Sequence, residues 1–193
     1  MIAIERSGDV EDSENIIFVM TKRKIILVPD EILKKKSEKI EKLTNKEKQL
    51  ADDLFETMYK NNGIGLAAVQ VGVLRRMIVI DVSKKDEEKK PLCLINPVIK
   101  SFGKDRSTYE EGCLSIPETF IEIERPKTCI VEYVDISGNK KNMECDGLLS
   151  TCIQHEINHL DGKLIIDFLS KLKKDILIKK LSKNKNTSSR VIV

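Results

Sequence analysis

The sequence predicts an α+β fold: mostly antiparallel sheets wrapped around a central helix that carries a His-Glu-x-x-His motif, with further helices toward the N- and C-termini. Three observations predict it. Residues 44–60 place apolar side chains at helical spacing behind a capping signal, and residues 147–160 lie between an N-cap residue and a glycine stop. From Arg76 to about Cys145 the texture changes to β-branched runs punctuated by turns. Helices and strands do not alternate as βαβ units, so a parallel sheet is not expected.

The 193 residues suit one compact domain. Its expected bounds are 25–182, preceded by an acidic, flexible segment 1–24 and followed by a flexible basic tail 183–193. Within the domain, Ile25 to Val28 is an apolar run closed by Pro29 and Asp30, read as a strand ending in a turn. Thr44 and Glu47 form a capping box, and Leu50, Ala51, Leu54, Phe55 and Met58 recur behind them until Asn61, Asn62 and Gly63 end the helix. Met77 to Val82 and Leu92 to Ile95 read as strands. Thr128 to Val134 and Lys140 to Glu144 read as a hairpin turning at Ser137 and Gly138. Asp146 is the expected N-cap of a helix from Gly147 to Leu160, stopped by Gly162. A last helix after Ser170 is expected to turn Leu172, Ile176 and Leu181 inward and Lys173, Lys174, Lys179 and Lys180 to water.

Charge and cysteine usage narrow the function. A net charge of +3, from 34 Lys and Arg against 31 Asp and Glu, argues against a general nucleic-acid binder. No apolar run approaches the roughly 20 residues that span a bilayer, so a soluble protein with no membrane partner is expected. Cys93, Cys113, Cys129, Cys145 and Cys152 form no CxxC pair, which favours a reducing compartment. The acidic first twenty residues are the opposite of a transit peptide. A bacterial-type cytoplasm fits, as does a plastid-like or mitochondrial organelle after removal of a targeting segment.

The chemistry begins at His155, Glu156 and His159. In a helix the i, i+4 spacing puts both imidazoles on one face, where they can grip one metal ion. Glu156 is a third of a turn away, placed to act on a water beside the ion as a general base. A catalytic site of this kind needs a third protein ligand. The metzincin extension would require His at 165, where Ile165 stands, and the thermolysin-like class requires a downstream Glu, of which none follows Glu156. A cysteine thiolate is the remaining good candidate. Cys113 stands out because Gly112 beside it lets a backbone come close, although a lone cysteine is more often a small buried hydrophobe. Cys93, Cys129, Cys145 and Cys152 are open to the same bland reading.

Three separated segments decide between these readings. Gly63 to Gln70 (GIGLAAVQ), Glu111 to Ser115 (EGCLS) and Gln154 to Gly162 (QHEINHLDG) resemble, in order and spacing, the three signature motifs of the peptide deformylases. The likeness runs from about Val28 to Leu181.

The resemblance implies a hydrolase that removes the N-formyl group from the starting methionine of nascent polypeptides during protein biosynthesis. It implies a metal held by Cys113, His155 and His159, with Fe(II) favoured and Zn, Co or Ni able to substitute. Glu156 would be the general base, with the Gln70 side-chain amide and the Leu114 backbone N–H donating to the formyl oxygen. Gly65 would hydrogen-bond the substrate chain, Gly112 would border it, and Ile64, Leu148, Cys152 and the His155 ring would line the methionine pocket. Leu148, Cys152, His155 and His159 do share one helix stripe. Glu111 and Arg125 are expected to pair in support of the Cys113 loop. Asn158 departs from the family's usual Asp, which bears on local hydrogen bonding. The basic C-terminal helix would dock near the ribosome exit, as in bacterial relatives. Two rival functions are an inactive deformylase-fold binding module and a His-Glu-x-x-His metallopeptidase.

Overall fold

The computed structural model describes residues 23–84 and 86–187. The expected acidic segment thus lies outside the described residues except for Arg23 and Lys24. Arg23 is tied to the first helix: its backbone N–H donates to Thr57 Oγ1 at 3.0 Å and its guanidinium pairs with the buried Asp53.

Five strands form one antiparallel sheet in the order β1 (Gly65–Ala67), β2 (Met77–Ile80), β3 (Leu92–Phe102), β6 (Thr128–Val134) and β7 (Lys140–Asp146). Between β3 and β6 the chain makes a separate two-stranded hairpin, β4 (Arg106–Cys113) and β5 (Ile116–Pro126). Helix α1 (Asn45–Lys60) covers one face of the large sheet and α2 (Gly147–Leu160) the other. The period-two side-chain alternation of β2 explains how one strand serves both. Met77 and Val79 join Leu50, Leu54 and Met58 of α1, while Ile78 and Ile80 join Ile153, Ile157 and Leu160 of α2. At about 1.5–3 kcal/mol for each fully buried aliphatic side chain, these two layers hold α2 firmly. The sheets therefore wrap the helix that carries both histidines, as the sequence predicts.

The expected capping box is formed. Thr44 Oγ1 accepts from the Lys46 N–H, and Glu47 Oε2 accepts from the Thr44 N–H at 2.9 Å. The β6–β7 hairpin turns where expected, with Asp135 Oδ1 accepting from the backbone N–H groups of Ser137 and Asn139 and Gly138 at φ +89°. Helix α2 has the expected bounds, but Asp146 caps it by position only, without a side-chain hydrogen bond. Strand β7 passes straight into the helix through Gly147, whose φ of +54° is what a glycine tolerates there.

Two expectations are corrected. Residues 25–28 are extended but form no strand, because their N–H groups find separate partners: Ile26 donates to Gln70 O at 2.8 Å and Val28 to Ser115 O at 3.0 Å. This staple joins the two loops that border the site. In α3 (Lys171–Thr187), Leu181 packs inward as expected, but Leu172 and Ile176 face solvent, 71% and 60% exposed, and Leu177 and Ile178 pack inward in their place. They rest on a third apolar cluster of Val28, Leu33, Ile116, Ile121, Ile123 and Leu164 to Ile166, which anchors the β4–β5 hairpin. Residues 183–187 of the expected tail are helical.

Candidate metal centre and substrate cavity

His155 and His159 project from one face of α2 with their Nε2 atoms 3.2 Å apart. Cys113 ends β4 at the point where the hairpin register breaks, and its Sγ lies 3.2 Å from His159 Nε2. The three donor atoms all lie within 4.8 Å of one another. Tetrahedral ligands at roughly 2.1 Å (N) and 2.3 Å (S) from a shared ion stand about 3.3–3.6 Å apart, so the observed spacing fits a common metal ion. The donor set also attracts positive charge. Burial opposes protonation of His155, but hydrogen bonding to Cys113 and Glu111 outweighs it and raises its pKa to about 10. Burial and the neighbouring His155 charge push His159 well below its ordinary value.

Behind the donors, Glu111 Oε2 accepts from His155 Nδ1 at 2.8 Å, which fixes the tautomer and turns Nε2 toward Cys113. Arg125 clamps Glu111 with Nε at 2.5 Å and Nη2 at 3.0 Å, and its Nη1 donates to Asn158 Oδ1 at 2.8 Å. Both members of the ion pair are buried, and Phe168 covers the guanidinium with its ring 5.0 Å away. Burial works against the charge on Glu111, but His155 and Arg125 hold its carboxyl below the usual range. The departure at Asn158 leaves local hydrogen bonding intact, because an amide oxygen accepts from Arg125 as a carboxylate would.

On the cavity side, the orientation of Gln70 is set by the Ala67 N–H, which donates to its Oε1 at 2.8 Å. Its Nε2 is thereby aimed at Ser115 Oγ, 3.2 Å, and Cys113 Sγ, 3.7 Å. Among the described residues, Glu156 Oε2 is buried without a hydrogen-bond partner. Desolvation lifts the Glu156 pKa to about 7, where a carboxylate exchanges protons most usefully at neutral pH. A cavity of about 720 Å³ opens from these groups. Ile64, Gly65, Gln70, Glu111, Gly112, Cys113, Leu114, Leu148, Cys152, His155 and Glu156 all border it, so the structure brings the predicted residues together, with His159 and Arg125 buried just behind.

Ile64 and Leu148 are each 42% exposed, apolar side chains presented to the opening and not packed in the core. Sequence reasoning missed Ser115 as the partner of Gln70, Ala67 as its anchor, and Tyr109 and Phe120 on the cavity wall. Ser115 stands inside the second motif and so carried a signal. The wall residues come from strands whose pairing was not foreseen.

Two imidazoles and a thiol around a cation-sized gap, with a proton-accepting carboxylate at the head of a cleft, define a metal-dependent hydrolase. The family model for polypeptide deformylase matches residues 22–175. Among curated proteins, the peptide deformylase of Pelagibacter ubique is 51% identical over 174 residues, covering 90% of this chain and all of that one. That of Agrobacterium fabrum is 52% identical over 164 residues, 85% of this chain and 96% of its own. Among solved structures, the crystal structure of peptide deformylase from Ehrlichia chaffeensis superposes with a TM-score of 0.83 at 40% identity, covering 87% of this chain and 99% of that chain. The same Ehrlichia enzyme in complex with actinonin gives 0.82 at 41% identity, over 89% and 100%. This chain belongs to the polypeptide deformylase family.

Proposed function

We propose that this protein hydrolyses the N-formyl group from the formyl-methionine that begins nascent polypeptides, releasing formate, with Cys113, His155 and His159 as metal ligands and Glu156 as the base. The observation that carries this reading is the unpaired, buried Glu156 carboxylate beside the three-donor set at the head of the cavity. A divalent cation held there would supply Lewis acidity to the attacking water and to the formyl oxygen. Glu156 accepts one proton of that water and returns it to the departing nitrogen, so a neutral amine and formic acid form, and the acid gives its remaining proton to solvent to leave as formate. Gln70 Nε2 and the Leu114 N–H donate to the formyl oxygen as it becomes negative, which adds several kcal/mol of roughly the size of other oxyanion-hole donors.

The rest of the cavity reads as substrate recognition. Ile64, Leu148, Cys152 and the His155 ring supply an apolar bed for the methionine side chain. Gly65 and Gly112 let the substrate backbone run close to β1 and β4. The Cys113 thiolate beside two imidazoles favours the softer divalent ions, and within the family resemblance Fe(II) is the native choice, with Zn, Co or Ni as substitutes. Among the described residues no helix is long and apolar enough to cross a membrane. The solvent-facing Leu172 and Ile176, set among Lys171, Lys173 and Lys179 on α3, support docking of this helix near the ribosome exit.

The test is formate release from a formyl-Met tripeptide by anaerobically prepared Fe(II) protein, beside Glu156→Gln and beside an unformylated peptide. Formate release that falls by about 10²–10⁴-fold in the variant at unchanged metal content is expected. Metal-loaded wild-type protein that releases no formate overturns the reading, and cleavage of the unformylated peptide points to a peptidase.

A further inference from the structure

Outside the metal centre, one pair of nucleophilic side chains is brought together by the sheet. Cys129 of β6 and Cys145 of β7 are directly opposite partners in the antiparallel ladder. The flanking bonds Gly147 N–H to Lys127 O and Asp135 N–H to Asn139 O place this pair at a narrow, hydrogen-bonded position. Cα atoms there stand about 5.5 Å apart, inside the range a disulfide spans, and closing the bond would draw the Cβ atoms in from about 5.5 Å to about 4.5 Å, which makes a strained, readily reduced link. Both side chains point to the α2 face and both are free thiols; Cys145 Sγ donates to Met143 O at 3.6 Å. Ser150 Oγ of α2 donates to Cys129 Sγ at 3.5 Å. Although each residue is only 2% exposed, the two form part of the lining of a second cavity of about 630 Å³, bordered also by Phe102, Thr128 and Asp146. None of the proposed catalytic groups borders this cavity.

We propose that Cys129 and Cys145 are a second redox-reactive site, a dithiol that a small hydroperoxide oxidises to an intramolecular disulfide. Cys129 is the attacking thiol, since the Ser150 hydroxyl at 3.5 Å is placed to stabilise its thiolate, whereas Cys145 Sγ is turned to Met143 O. Its sulfur takes the distal peroxide oxygen as the O–O bond breaks, giving a sulfenic acid and one molecule of water or alcohol. Cys145, losing its proton, attacks that sulfur, the S–O bond breaks, and water leaves. Two thiols lose two electrons, the peroxide gains them, and the atoms balance. Cys93 lies on β3, facing the α1 side of the sheet, and Cys152 lies beside Glu156, so neither has a thiol partner in the ladder.

The experiment uses the metal-loaded holoenzyme treated with stoichiometric hydrogen peroxide, followed by alkylation and unreduced peptide mapping. The expected result is a linked pair of peptides carrying Cys129 and Cys145, with the loss of two hydrogens in intact mass. A Cys145→Ser variant is expected to trap Cys129 as a sulfenic acid with dimedone while keeping formate release. Alkylation of both cysteines at undiminished yield after the peroxide is consumed overturns the proposal, as does a disulfide that joins either one to Cys93, Cys113 or Cys152.

Discussion

Gly65 of β1 lies directly against the carboxylate of Glu156: a Cβ on Gly65 would stand 2.5 Å from Glu156 Oε1 and 2.7 Å from Cys152 Sγ. Neither neighbour is at the loose end of an exposed side chain, because both belong to the buried stripe of α2. Gly65→Ala therefore displaces the base. A displacement near 1 Å can cost roughly 10²-fold in rate. The expected outcome is a fall in kcat/KM for a formyl-Met peptide of about that size, with metal content unchanged by elemental analysis. Wild-type kinetics in the alanine variant would show that Glu156 is not held by this contact.

Arg125 is the hub of a chain that runs from Asn158 through Glu111 to His155. Removing one partner of a buried ion pair leaves the other uncompensated, at a cost of about 3–5 kcal/mol. Loss of the group that orients a metal-ligating histidine lowers metal affinity by roughly 10–100-fold. Arg125→Ala is expected to lower both thermal stability and metal affinity, whereas Asn158→Ala, which keeps the ion pair, is expected to do so far less. Denaturation and competition with a metallochromic chelator measure the two effects separately.

Much of this was legible in the sequence because its signals are local. The capping box of Thr44 and Glu47, the spacing of His155 and His159, and the turn at Ser137 and Gly138 each follow from residues a few positions apart. Strands β4 and β5 were not legible. Their solvent face is crowded with Glu110, Glu122 and Glu124, and only alternate residues such as Ile121 and Ile123 reach a core, one made largely by distant segments. Strand β1 is three residues long, too short for any periodicity. On α3 the lysine-rich sequence offers two apolar rows, and the choice of Leu177, Ile178 and Leu181 over Leu172 and Ile176 depends on where Ile165 and Ile166 stand. The link from Arg125 to Asn158 spans 33 positions and becomes visible only when hairpin and helix are packed together.

Tyr59 donates its hydroxyl to Asp81 Oδ2 at 2.6 Å, joining α1 to the end of β2. Burial disfavours the Asp81 charge, but the hydrogen bonds from Tyr59, Ser83 and the backbone outweigh it and hold the carboxyl below its ordinary value. A lowered folded pKa contributes stability above the unfolded value of about 3.9, and that stability is lost as pH falls through the folded value. Tyr59→Phe is expected to cost about 1.5–3 kcal/mol near neutral pH, the range for a hydrogen bond to a charged group. The gap between variant and wild type should narrow below about pH 4, measured by urea denaturation across the acid range. A gap that stays constant through this range would mean that the bond does not depend on the carboxylate charge.

The Nε2 atom of His159 lies 3.2 Å from His155 Nε2 and 3.2 Å from Cys113 Sγ, so a bound ion would replace these close donor contacts with three bonds. Binding to the folded state alone stabilises it by RT ln(1 + [L]/Kd), about 4 kcal/mol at a thousandfold excess over Kd. For a protein of this size each 1 kcal/mol moves Tm by roughly 2–4 °C. Removing the ion with a chelator is therefore expected to lower Tm by about 8–16 °C and to abolish formate release, and returning Fe(II), Ni(II) or Zn(II) is expected to restore Tm. His159→Ala supplies the control, since a site without its third donor should melt at nearly the same temperature with and without chelator. Equal chelator sensitivity in the variant and the wild type would place the stabilising ion elsewhere, whereas sensitivity confined to the intact Cys113, His155 and His159 set ties the ion to this centre.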